Sequence, residues 1–184
     1  MSTANKKATG NEDLVVGLGS TGLSIARYLH RNDKVATFFD SRDEPPGLDE
    51  LEEICPGAKV LLGNAKLTKN IGRVIASPGV PDSQKMIKKA IKKKLEVVSD
   101  IELFARDATA PFVAITGSNG KSTVTTLLYQ MCRADGREVL AGGNLGERAL
   151  DLLSQETPDL YVLELSSFQL HRTESLPASV AILL

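Results

Sequence analysis

Residues 116–123, Thr116-Gly117-Ser118-Asn119-Gly120-Lys121-Ser122-Thr123, stand between an apolar run (PFVAIT, residues 111–116) and a run with helical periodicity (STVTTLLYQMCR, residues 122–133). A strand that enters a helix through so tight a glycine loop restricts the chain to α/β architectures. Small residues let the backbone curl until successive N–H groups face one point, which suits a phosphate. Lys121 adds a positive charge there, and the Ser122 hydroxyl follows it in the position of a Mg²⁺ ligand. The common spacing of such loops would place a glycine at position 115, where this chain has Ile115; its first glycine is Gly117, so the loop is shortened. Gly117, Ser118, Asn119, Gly120, Lys121, Ser122 and Thr123 are read as a nucleoside triphosphate site.

The rest of the chain alternates strand and helix signals. Apolar runs at residues 14–18, 34–40, 59–62, 73–76 and 95–99 are separated by helical patterns at 48–54, at 83–94 and around Leu23, Ile25, Ala26 and Leu29. Such alternation predicts a parallel sheet covered by helices, with its ligand at the C-terminal ends of the strands. Residues 100–107 (DIELFARD) read as a connecting helix and 108–111 as a linker. The phosphate loop then opens a second series: a strand at 138–141, a glycine turn at 142–146, a helix at 147–154 and a strand at 160–165. Residues 178–184 are a further apolar run, expected to be a core strand with the second domain incomplete around it. The expected organisation is a flexible tail (1–13), a Rossmann-like parallel-sheet domain (14–108) and part of a P-loop-type α/β ATP-binding domain (109–184).

Gly17-Leu18-Gly19-Ser20-Thr21-Gly22 is a complete G-x-G-x-x-G at a strand-to-helix junction, and Asp40 ends the next strand. That pattern is the dinucleotide fingerprint, with the acid on a ribose hydroxyl. Any diphosphate benefits equally from N–H groups at a helix N-terminus. Arg42 offers a fork of donors to a phosphate or carboxylate. A diphosphate loop followed by a separate triphosphate loop points to a nucleotide-linked substrate activated by ATP.

Beside the second loop, Glu164 ends the run Leu160-Tyr161-Val162-Leu163. A carboxylate at the end of a buried strand faces the same crevice as the phosphate loop and suits Mg²⁺, which takes one or two carboxylates together with substrate phosphates; the alternative is a salt bridge at the strand end. Asn144 serves either as an amide toward phosphate or substrate or as a turn former. Among Ser166, Ser167 and Gln169, at least one is placed to cap the next helix. His30 reads as a surface residue at a helix end, and His171 lies near the site without a catalytic arrangement around it. Cys55 and Cys132 have no metal-like spacing, and Cys132, sharing a helical face with Leu128 and Met131, is expected to be a buried thiol. The lysine-dense stretch at 87–94 reads as the solvated face of a helix whose apolar stripe is Met86, Ala90, Ile91 and Leu95. With a formal charge of −1 there is no general pull toward nucleic acid or anionic membrane, and no apolar run approaches the ~20 residues of a membrane helix. The N-terminus lacks the apolar core of a secretory signal, and a cytoplasmic monomer is expected.

Six segments, TGSNGKST (116–123), DSRDEPPGLDEL (40–51), ASPGV (76–80), SDIELF (99–104), GGNLG (142–146) and LELSSFQL (163–170), resemble the Mur ligases, the ATP-dependent amino-acid-adding enzymes of peptidoglycan synthesis, and among them the branch that adds D-glutamate. The resemblance implies an amide-forming ligase that joins UDP-N-acetylmuramoyl-L-alanine to D-glutamate through an acyl phosphate, with ATP and Mg²⁺. It implies that Ser20, Thr21, Ser41, Arg42 and Gly79 line the UDP-substrate site and that Lys121 and Ser122 hold ATP and Mg²⁺. Glu164 would ligate Mg²⁺, with Asn144 and Ser166 where ATP meets substrate. The D-glutamate-binding domain of that family has no counterpart here, so the chain by itself is expected to be inactive. Two other readings stand beside this one: a non-catalytic module that binds UDP-sugar or ATP, and an NAD-dependent oxidoreductase domain resting on the first glycine loop.

Overall fold

The computed structural model describes residues 12–184, so the expected tail lies outside the described residues except for Glu12 and Asp13, which open the first strand. Two compact units divide the chain, Met1–Val98 and Ser99–Leu184. The boundary thus falls ten residues before the expected one at 108/109, and the helix at 100–107 belongs wholly to the second unit.

The first unit runs β1 (Glu12–Val16), α1 (Ser20–Arg31), β2 (Ala36–Asp40), α2 (Leu48–Ile54), β3 (Lys59–Leu62), β4 (Ile71–Ala76), α3 (Lys85–Lys92) and β5 (Glu96–Val98). The strands form one parallel sheet in the order β3-β2-β1-β4-β5. Leu14, Val15 and Val16 are consecutive and all buried, the mark of a central strand covered on both faces. The strand order reverses direction between β1 and β4, and a crevice opens at such a switch point. Gly22 lets α1 close onto the preceding loop, because a Cβ there would lie 1.9 Å from the Gly17 carbonyl oxygen. α3 is shorter than the expected 83–94 and is capped by Gln84, whose side chain accepts from the Met86 and Ile87 N–H groups. Its buried stripe is Met86, Ile87 and Ala90; Ile91, expected in that stripe, is 52% exposed. Ile91 lies about 40° beyond Ile87 around the helix and one residue before its end at Lys92, so it falls past the edge of the stripe that Met86, Ile87 and Ala90 bury.

The second unit runs α4 (Asp100–Asp107), β6 (Phe112–Thr116), α5 (Lys121–Ala134), β7 (Val139–Gly143), α6 (Ala149–Leu152), β8 (Leu160–Glu164), α7 (Ser167–Leu170) and β9 (Val180–Leu183). Its parallel sheet has the order β7-β8-β6-β9. α4 is no simple connector: Phe104 packs edge-on against Phe112 and Tyr161, with centroids 5.6 and 5.1 Å apart. Its N-cap, Ser99, accepts from the Glu102 N–H. α5 lays Val124, Leu128, Tyr129 and Cys132 on the sheet. Met131 points outward, 60% exposed, so Cys132 does not share its face and is half-buried rather than buried.

Candidate functional site

In the second unit three adjacent strands, β7, β8 and β6, deliver their C-terminal ends to one edge. β6 ends in the phosphate loop, β8 in Glu164, and β7 in Gly143, followed by Asn144. Glu164 is 2% exposed, and its two oxygens are shared: Oε2 accepts from Ser122 Oγ at 2.7 Å and Oε1 from Asn144 Nδ2 at 2.7 Å. The Asn144 N–H also donates to the Glu164 carbonyl at 2.8 Å, so this asparagine is held by backbone and side chain at once. Of its two sequence readings, the structure makes it both a turn residue and a partner of the carboxylate.

Gly117 has φ +141, and a Cβ on it would lie 2.2 Å from the Leu184 carbonyl oxygen, so only glycine fits this curl of the loop. Lys121 Nζ donates to the Gly117 carbonyl at 2.9 Å, which keeps its charge inside the loop. Lys121, Ser122 and Thr123 form the first turn of α5, where N–H groups lack intrahelical partners and an anion is favoured. A buried carboxylate bonded to a hydroxyl at the start of that helix is the hard-oxygen set that suits Mg²⁺. Among the described residues there is no group of three or more His, Cys, Asp or Glu able to hold a metal. The fit is therefore to an ion that completes its shell with phosphate oxygens and water, as Mg²⁺ does.

In the first unit, Ser20 and Thr21 follow β1, Ser41 and Arg42 follow β2, and Gly79 follows β4, so all five reach the same edge of the sheet, around the switch point. Ser20, Ser41, Arg42 and Gly79 are exposed there. Asp40 organises this edge. Its Oδ2 accepts from the Leu18 N–H and from Arg42 Nη2, each at 2.8 Å, and its Oδ1 from the Arg42 N–H at 3.0 Å and Nε at 2.9 Å. Burial pushes this carboxyl up, but the Arg42 guanidinium and the Leu18 and Arg42 N–H groups outweigh it and bring its pKa down to about 2. Both oxygens are thus engaged, and the acid that the dinucleotide fingerprint needs for a ribose is committed to the protein. Ser77 Oγ adds a bond to the Gly17 carbonyl at 3.2 Å.

Ser166 caps α7: its Oγ accepts from the Gln169 N–H at 3.3 Å, and the Gln169 side chain returns to the Ser166 N–H at 3.0 Å. The hydroxyl expected where ATP meets substrate is thus engaged as a cap. Gln169, 2% exposed, also reaches Asp100 Oδ2 at 3.4 Å. Asp100 is 1% exposed, its Oδ1 has no hydrogen-bond partner, and burial pushes its pKa up to about 6 against the Gln169 amide, nearby N–H groups and the charge of Arg148. Sequence reasoning missed this buried acid, although Ser99-x-x-Glu102 is a helix-start signature that would have placed Asp100 inside a first turn.

Residues 11–99 match the family model for the Mur ligase MurD-like N-terminal domain, and residues 115–184 that for the Mur ligase middle domain. The UDP-N-acetylmuramoylalanine–D-glutamate ligase of Nitrosococcus oceani is 51% identical over 93% of this chain, and its counterpart in Marinobacter nauticus is 50% identical over 93%. The chain spans 38% and 39% of the length of those two relatives. The solved UDP-N-acetylmuramate:L-alanyl-gamma-D-glutamyl-meso-diaminopimelate ligase of Neisseria meningitides shares the fold, with a TM-score of 0.53 at 15% identity over 85% of this chain and 52% of its own. So does the murein peptide ligase of Psychrobacter arcticus, with a TM-score of 0.52 at 17% identity over 86% of this chain and 39% of its own.

Proposed function

Because the chain belongs to the Mur ligase family, we propose that it supplies the UDP-substrate-binding and ATP-binding parts of an ATP-dependent ligase that adds D-glutamate to UDP-N-acetylmuramoyl-L-alanine in peptidoglycan synthesis. The observation that carries this reading is the buried Glu164 carboxylate, tied to Ser122 and Asn144 at the foot of the phosphate loop. The names of the relatives that are half identical to the chain support the choice of substrate.

In the proposed reaction an oxygen of the alanine carboxylate attacks the γ-phosphorus of ATP and ADP leaves. The D-glutamate amine then attacks the acyl carbon and loses a proton to solvent, and phosphate departs, taking the electron pair of the C–O bond. Mg²⁺, when bound, neutralises phosphate charge. The loop residues Gly117, Asn119, Gly120 and Thr123 surround the phosphates with backbone donors, Ser118, whose N–H donates to the Leu184 carbonyl at 3.3 Å, offers its hydroxyl, and Lys121 compensates their charge, more strongly as it shifts during transfer. Ser122 and Glu164 would hold the metal, and Asn144, donating to Glu164 Oε1 at 2.7 Å, orients that carboxylate. Ser20, Thr21, Ser41, Arg42 and Gly79 take the UDP portion, with Asp40 holding Arg42 and the Leu18 N–H in place. A cytoplasmic monomer accords with this reading: both cysteines are free, and no described helix is long and apolar enough to cross a membrane.

Calorimetric titration with Mg²⁺ and a non-hydrolysable ATP analogue, and separately with UDP-N-acetylmuramoyl-L-alanine, tests the assignment. Lys121→Ala is expected to weaken the ATP analogue by roughly ten- to a hundredfold, the value of a charged hydrogen bond, and to leave the UDP ligand unchanged. Unaltered ATP-analogue affinity in that variant would make residues 116–123 a structural turn.

A further inference from the structure

The formal charge of −1 conceals a segregation. Residues 63–95 hold nine of the chain's 22 basic side chains and a single one, Asp82, of its 23 acidic ones. Arg73 is spent on Asp13, with contacts of 2.9 and 2.6 Å, which leaves eight lysines. Packing gathers them on one surface. Met86, Ile87 and Ala90 seat α3 in a core cluster that Ala65 and Leu67, from the β3–β4 connection, also join. Lys85 Nζ donates to Asn64 Oδ1 at 3.3 Å, which ties the same connection to the start of α3. Lys66 and Lys69 therefore stand beside Lys85, Lys88, Lys89, Lys92, Lys93 and Lys94, and all eight are exposed. Among the described residues, the ion pairs are made by arginines and none engages these lysines. Ile91, 52% exposed, lies among them, one helical turn from Lys88, and its carbonyl accepts from the Lys94 N–H at 2.9 Å just past the helix end.

We propose that this lysine surface, with Ile91 at its centre, docks the protein peripherally on an anionic lipid bilayer. Ammonium groups are compact, strongly hydrated charges, suited to a diffuse layer of headgroups that has no fixed geometry to match. Nucleic-acid recognition draws on arginine forks and on aromatic side chains that stack on bases, and residues 63–95 contain no aromatic and no unpaired arginine. A protein partner would be expected to meet aromatic or arginine anchors, which the surface also lacks. Ile91 gives the patch an apolar group able to enter the boundary between headgroups and acyl chains while its neighbours stay in water. Each lysine near the surface strengthens partition by roughly fivefold, so eight weak contacts sum to firm but salt-sensitive binding.

Flotation of the 184-residue chain with vesicles tests this. Vesicles containing phosphatidylglycerol are expected to carry the protein, those of phosphatidylcholine alone to leave it behind, and added salt to release it. Lys88→Gln/Lys92→Gln should weaken partition by roughly 25-fold. Ile91→Ser should weaken it several-fold with the salt dependence kept. Lys34→Gln/Lys59→Gln, two lysines off this surface, should change nothing, with circular dichroism confirming that every variant is folded. Absence of binding to phosphatidylglycerol at low salt, or equal losses in the two double variants, would overturn the proposal. So would tighter binding to duplex DNA than to the vesicles that depended on the same lysines.

Discussion

Asp40 and Asp100 are both buried aspartates beside a glycine loop or a helix start, and their surroundings drive them in opposite directions. Asp40 meets a guanidinium and two backbone N–H groups, so its charge is the favoured form. Asp100 meets one long contact from the Gln169 amide and leaves Oδ1 without a partner, so burial dominates and its pKa rises to about 6 from the ordinary 3.8. An acid whose folded pKa is raised binds its proton more tightly when folded, so stability falls as pH climbs from about 4 to about 6 and stays lowered above. Asp100→Asn keeps an acceptor for Gln169 and removes the charge. It is expected to gain up to about 3 kcal/mol at neutral pH and to flatten the pH dependence between those limits. Urea unfolding at several pH values measures this; an unchanged slope would show that Asp100 is as well solvated when folded as when unfolded.

α7 is one turn long, and a helix that short depends on its ends. Ser166→Ala removes the hydroxyl from the capping box and is expected to cost about 1 kcal/mol, read as a lowered urea midpoint, with affinity for the ATP analogue unchanged. A fall in that affinity without a stability change would return Ser166 to the ligand. The strands and the long helices were legible before the structure because Leu14–Val16 and Leu160–Leu163 are apolar runs bounded by glycine or charge, and α1 repeats its apolar residues at helical spacing. Glu164 was legible for the same reason: a carboxylate closing an apolar strand has few places to point. Elements set by distant contacts were less so. α4 has the composition of an exposed connector, and only Phe112 and Tyr161, far along or beyond the linker, reveal that Phe104 is a core residue. The triple use of Asp40 by the Leu18 N–H, the Arg42 N–H and the Arg42 guanidinium likewise depends on a loop geometry that no local pattern encodes.

For the whole molecule, the position of the boundary decides which pieces stand alone. α4 buries Ile101, Leu103 and Phe104 within the second unit. A cut after residue 98 should give a folded, soluble first unit and leave the second intact, whereas a cut after 108 strips three large apolar side chains from the second unit's core. Losing the burial of three such side chains, about 5–9 kcal/mol, is comparable with the whole margin of an ordinary domain, so residues 109–184 should show no cooperative melt where residues 99–184 do. Equal melts for the two pieces would make α4 a dispensable connector. The sheet of that unit has one further property. Among the described residues β9 pairs only with β6, and Val180 and Leu183 on it and Leu184 after it are 51%, 81% and 44% exposed. Ser179 through Leu184 contain no charge and no proline, so this border can template another strand as readily as it accepts solvent. In a tube of this chain by itself, shelf life would be governed by crowding more than by heat, and a dilute sample would outlast a concentrated one.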